Sequence, residues 1–240
     1  MRKVNFYNGG FYHIYNRGVL KQPIFFEDRD YIRFVHDLYE FNDLNHSVDP
    51  RGRKHIARGS TSGIRIPEVE PLYVNRSPRD KVVAILAWCL MPNHFHLFLQ
   101  QIRDGGVSVF MHKLSTGYTA YINKKYKRTG HLFQGRFKAK HIGQESYFLH
   151  ISRYIHLNPV DLIESGWKEE GIKDWEKVHQ FLENYKWSSY PDWIGSRNFP
   201  SLLDLKSVTG VFDNADRYKR FMGEWAVENY RKLKDIVDET

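Results

Sequence analysis

The sequence predicts an α+β domain built on a largely antiparallel sheet, and three observations carry that expectation. Aromatic and β-branched runs alternate with segments of helical periodicity along the chain. Two apolar runs, KVVAILAWCL and HFHLFLQ, are separated only by Met91-Pro92-Asn93, so they read as a buried hairpin. Hydrophobic residues make up 41% of the 240, including 16 Phe, 15 Tyr and 6 Trp, which is enough to fill a core and argues against global disorder.

In chain order, FYHIYNRG (Phe11 to Gly18) is aromatic and β-branched and ends at glycine, the pattern of a strand. Tyr31, Phe34, Val35 and Leu38 have helical spacing within 28–42, where Asp28 or Asp30 can cap the start. The stretch 45–79 is broken by Pro50, Pro67, Pro71 and Pro78 and reads as a loop or small hairpin inserted between core elements. After the 81–101 hairpin, Phe110, Leu114, Tyr118 and Tyr121 predict a helix over 107–127. HLFQGRFKAKHI then reads as a loop leading into a strand. A helix over 144–157 follows, stopped by Asn158-Pro159 because a residue before proline avoids the α conformation. A last helix is expected from 214 to about 237. Residues 1–193 are taken as one domain and 194–240 as a helical extension.

The chain has one cysteine, Cys89, so no internal disulfide can form, and a reducing cytoplasm is expected. No membrane span is expected, since no apolar run reaches about 18 residues. The first residues lack the apolar stretch of a secretory signal.

The net charge of +8 is concentrated in one place. Between Gly105 and Gln144 stand Lys113, Lys124, Lys125, Lys127, Arg128, Arg136, Lys138 and Lys140, with no acidic residue among them. Outside that segment 28 cations balance 28 acids. Such a stretch is either a solvated basic face or a phosphate-contacting surface. Interleaved Tyr118, Tyr121, Tyr126, Phe133 and Phe137 favour the second, because rings stack on unpaired bases while cations neutralise phosphates.

On a strand, residues two apart share a face, so His94 and His96 project together while Phe95, Leu97 and Leu99 enter the core. Two imidazoles on one face can begin a divalent metal site, or they can hydrogen-bond to a neighbouring layer. Tyr154 lies beside the apolar stripe Phe148, Ile151 and Ile155, the ordinary place of a packing tyrosine. Asn158 follows one helical turn later on the same side. Together these groups could attack a phosphodiester: a cation offsets the developing charge, and a tyrosine oxygen becomes the nucleophile.

MPNHFHLFL, with GHLFQGRFKAK, SRYIHLNPV and KWSSY, resembles the ordered blocks of the REP-associated tyrosine transposases, a branch of the HUH endonucleases. YHIYNRG and IFFEDRDYIRF are similar to the N-terminal blocks of that family. The resemblance implies a ferredoxin-like antiparallel sheet with helices packed on it. It also implies metal ligation by His94, His96 and Asn158, with magnesium or manganese as the ion, and Tyr154 as the nucleophile. The implied partner is single-stranded hairpin DNA, and the implied assembly a monomer or homodimer. A hairpin-binding protein without catalysis, or a zinc hydrolase using an activated water, would employ the same histidines differently.

Overall fold

The computed structural model describes residues 4–44, 79–143, 146–205 and 214–226. The expected insertion at 45–79 lies outside the described residues except for Arg79, as does the last helix beyond 226.

Strand β1 (Phe11–Arg17) leads to helix α1 (Asp28–Glu40), then to strands β2 (Val83–Met91) and β3 (His94–Gln101). Helix α2 (Gly106–Lys125), strand β4 (Lys138–Ile142) and helix α3 (Ser146–Leu157) follow. The sheet order is β2-β3-β1-β4 with every neighbouring pair antiparallel. This βαββαβ arrangement, with β1 and β3 inside and β2 and β4 at the edges, is the ferredoxin-like topology. Met91 pairs with His94, so Pro92-Asn93 forms a two-residue turn. The expected hairpin is thus present, and all nine residues of β2 are buried.

Strand alternation divides the sheet into two apolar faces. Tyr12, Ile14, Trp88, Leu90, Phe95, Leu97 and Leu99 pack against Phe34 and Leu38 of α1 and Phe110, Leu114 and Tyr118 of α2. The other face gathers Ala87, Cys89 and Phe98 with Phe148, Ile151, Tyr154 and Ile155 of α3. A register shift between Ile85 and Ala87 marks a bulge in β2, consistent with Leu86 and Ala87 both falling in the α3-side core.

The cap of α1 differs from expectation. Glu27 is the N-cap, and Asp30, three residues on, closes a capping box with it. Neither Asp28 nor Asp30 occupies the cap position, because the carboxylate of Asp30 is drawn inward. Its oxygens accept from Lys125 Nζ (2.5 Å), Tyr126 Oη (2.7 Å), Tyr121 Oη (3.0 Å) and the Phe26 amide (2.9 Å).

Helix α3 ends at Leu157 as expected, and the chain continues as a 3-10 turn over Asn158–Leu162 with proline in its first turn. Short helices α4 (Trp167–Glu170), α5 (Trp175–Asn184) and α6 (Tyr190–Trp193) precede α7 (Ala215–Ala226). Periodicity is too brief in α4 and α6 to announce them. Apolar contacts continue across the boundary expected at residue 193. Leu202 joins the core beneath α1 and α2, whereas Ile194, Tyr218 and Met222 join the core around α3.

His156 ties these parts together. One ring nitrogen lies 2.6 Å from Tyr218 Oη on α7 and the other 2.8 Å from Ser189 Oγ, which itself accepts from the Trp88 amide of β2 at 2.9 Å. Burial pushes its pKa down to about 3. The unfolded chain therefore binds a proton near pH 6.5 that the folded chain refuses. Stability is full above that value and falls as pH drops toward 3, by up to about 1.4 kcal/mol per pH unit for this histidine. Urea unfolding at pH 7, 6 and 5 checks the slope, and His156→Gln is expected to flatten it.

Candidate active site

Antiparallel register decides what faces the histidine pair. Arg17 and Tyr15 stand opposite His94 and His96, and His13 opposite Phe98. On the other side of β1, Tyr15 and His13 pair with Lys138 and Lys140 of β4. The face toward α3 therefore carries, strand by strand, Cys89 and Met91, then His94 and His96, then His13, Tyr15 and Arg17, then Lys138 and Lys140.

His94 and His96 are brought together as expected, with ring centres 5.0 Å apart and planes at 88°. His94 is half-buried at the mouth, and its Nδ1 lies 2.6 Å from Asn93 Oδ1 in the hairpin turn, which leaves Nε2 facing outward from that bond. His96 is buried. Burial, then the adjacent His94 and Lys168, hold its pKa well below the usual histidine value, so the ring is neutral near pH 7.

Tyr154 is also brought to this point. Its ring meets His96 edge-on at 5.5 Å between centres. It meets His13 in the same way at 5.7 Å. The helix that carries Tyr154, α3, packs on β2 and β3. Asn158 is buried, and its Nδ2 donates to the carbonyl of Tyr154 at 2.8 Å, so the amide nitrogen is used at the helix end and the oxygen is the atom suited to a hard cation.

His13 and Tyr15 did not stand out from the sequence. The period-two order Phe11, His13, Tyr15, Arg17 was present in the strand, but only the pairing with β3 shows which of its faces meets His96. His13 Nε2 lies 2.9 Å from His96 Nδ1, and Tyr15 stacks on both rings, at 5.0 and 5.9 Å. Arg17 reaches Gln134 at 2.5 Å. Both residues border an open cavity of about 440 Å³ with Val19, Leu20 and Lys21.

The basic segment is divided by the sheet. Lys113, Lys124, Lys125, Lys127 and Arg128 belong to α2 and its end, a helix whose packing is on the face away from the histidines. Lys113 donates to the carbonyl of Asp43, and burial lowers its pKa. Burial would also lower that of Lys125, but the carboxylates of Asp30 and Glu27 raise it instead. These two amines serve the fold. Lys138 and Lys140 lie on the histidine face, and exposed Arg136 is in the loop leading to them.

The donor set fits a divalent cation: two imidazoles, His96 among them neutral, and an amide oxygen. Burial pushes the pKa of the neighbouring Cys89 thiol up. Among the described residues no three His, Cys, Asp or Glu side chains converge as a cage. No helix among the described residues is long and apolar enough to cross a membrane.

Comparison with known proteins bears on the fold that carries these residues. Residues 72–158 match the family described as "Transposase IS200 like". A solved structure, a REP-associated tyrosine transposase bound to a REP hairpin, matches with a TM-score of 0.50 at 14% identity, over 86% of this chain and 95% of that one. No curated protein matches the chain. Residues 72–158, which include His94, His96, Tyr154 and Asn158, are thus similar to the IS200-like transposases, and the chain shares its fold with a REP-associated tyrosine transposase.

Proposed function

We propose that this protein is a metal-dependent endonuclease and strand transferase acting on single-stranded DNA beside hairpins, with Tyr154 as the nucleophile. The observation that carries this reading is the contact of Tyr154 with His96, within one chain and on the sheet face that also bears Lys138 and Lys140. The hairpin in the matching solved structure supports the choice of substrate.

His94, His96 and Asn158 would hold magnesium or manganese, which when bound acts as a Lewis acid toward the phosphate oxygens. The Tyr154 oxygen attacks phosphorus, and its proton passes to water. The bond from phosphorus to the 3′ oxygen breaks, and that oxygen takes up a proton. The 5′ phosphate is then esterified to Tyr154, and attack by another 3′ hydroxyl reverses the steps and joins a new strand. Lys138, Lys140 and Arg17 stand on this face and Arg136 in the loop leading to it, and these cations would position the strand by its phosphates. Leu20, 83% exposed and in a left-handed conformation at φ 53°, offers the neighbouring cavity an apolar side chain for a base.

Incubation with hairpin-bearing single-stranded DNA and Mn²⁺ should give a protein–DNA adduct that survives denaturation and disappears with chelator. A gel shift without adduct at any metal concentration would leave a hairpin-binding protein instead. On the reading that Tyr154 serves the histidines it packs against here, mixing His96→Ala with Tyr154→Phe protein is expected to restore no adduct. Restored activity would mean that α3 is exchanged between copies.

A further inference from the structure

We infer that His13 is a positioning residue that sets which nitrogen of His96 is available to a metal. The inference rests on the reading of His94 and His96 as metal ligands, and it adds a residue from a different strand.

The two imidazoles are buried side by side, with planes 15° from parallel and Nε2 of His13 2.9 Å from Nδ1 of His96. A neutral imidazole has one N–H and one lone pair. A bond between two such nitrogens therefore needs one of each, and the tautomers of the two rings are coupled. If His13 Nε2–H donates, the single proton of His96 sits on its Nε2, and that nitrogen cannot ligate. If His96 Nδ1–H donates, the Nε2 lone pair of His96 is presented to a cation, and His13 holds its own proton on Nδ1. Only the second arrangement makes His96 a ligand, so His13 must act as a hydrogen-bond acceptor.

Its surroundings keep the ring where that role requires. Tyr15 stacks on His13 at 5.0 Å from the same strand, and Tyr154 closes on it edge-on at 5.7 Å. Asn93 does the equivalent for His94, with Oδ1 accepting at Nδ1. Each histidine of the pair would thus have one acceptor behind its Nδ1, an arrangement that fixes ring orientation and strengthens the donor nitrogen toward a metal.

Long-range proton–nitrogen NMR of histidine-labelled protein without metal reads the tautomer directly, with His96 assigned by loss of its signals in His96→Gln. The expected result is a proton on Nδ1 of His96, and a proton on Nε2 would overturn the inference. Mn²⁺ titration followed by electron paramagnetic resonance then compares wild type, His13→Gln and His13→Leu. Gln retains an acceptor oxygen and should bind Mn²⁺ within a few fold of wild type. Leu cannot accept and should bind about 10- to 100-fold more weakly. Equal binding by folded Leu and wild-type protein would overturn the role of His13, whereas failure of wild type itself to bind would overturn the metal reading on which it rests. Should the Leu variant not fold, the wild-type tautomer decides alone.

Discussion

Tyr154→Phe is expected to abolish covalent attachment to hairpin DNA, with strand cleavage reduced about a thousandfold or more, while hairpin affinity changes by no more than about threefold. The substitution removes one oxygen and keeps the ring. The edge-on contacts of that ring with His96 and His13 depend on its shape and quadrupole rather than on the hydroxyl, so the site should keep its geometry. Stability and Mn²⁺ affinity should therefore stay close to wild type. Denaturing gels with labelled DNA measure the adduct, and native gels measure binding. A Phe variant that still forms the adduct would place the nucleophile elsewhere.

Asp30→Ala is expected to destabilise the fold by about 3–5 kcal/mol. The carboxylate is fully buried, and burial alone would raise its pKa, but donation from Lys125, Tyr126 and Phe26 outweighs that and leaves it lowered. Stability from this group is present above the ordinary Asp value and is lost as pH falls through the depressed one. Removing it strips a partner from Lys125, Tyr121 and Tyr126 at once and opens the capping box of α1. Lys125→Met should cost less, about 1–3 kcal/mol, because two tyrosine hydroxyls and backbone amides still donate to the carboxylate. Urea unfolding of both variants checks the order. A loss below about 1 kcal/mol for Asp30→Ala would show that the network is not desolvated as the structure implies.

Lys125 illustrates how far charge could be read from the chain. The acid-free segment 105–144 looked uniform, yet the sheet divides it: Lys113 and Lys125 are bound by protein acceptors on one side, and Lys138 and Lys140 line the histidines on the other. A run of cations gives composition but not direction, and direction depends on whether each residue sits on α2 or β4.

Periodicity and turn chemistry were enough for the elements of the sheet. The two apolar runs around Pro92-Asn93 could hardly form anything but β2 and β3, and alternation within HFHLFLQ placed both histidines on one face without reference to the rest of the chain. Asn158-Pro159 likewise ended α3 at Leu157. These are local rules, satisfied by neighbours in sequence.

His13 and Tyr15 obeyed the same alternation, but nothing local distinguished them from packing residues. They stand about 80 residues from His96 and meet it only because β1 pairs with β3 in one register. The hydrogen bond between His13 and His96, the approach of Tyr154 and the attachment of α7 through Tyr218 to His156 all join residues distant in sequence. The amino-acid sequence by itself determined the strands, the helices α1, α2 and α3 and the placing of His94 beside His96, because each follows from the backbone period of a single element. Only the tertiary structure decided which side chains close around that pair, because strand register and helix packing are set by burying two whole faces of the sheet at once.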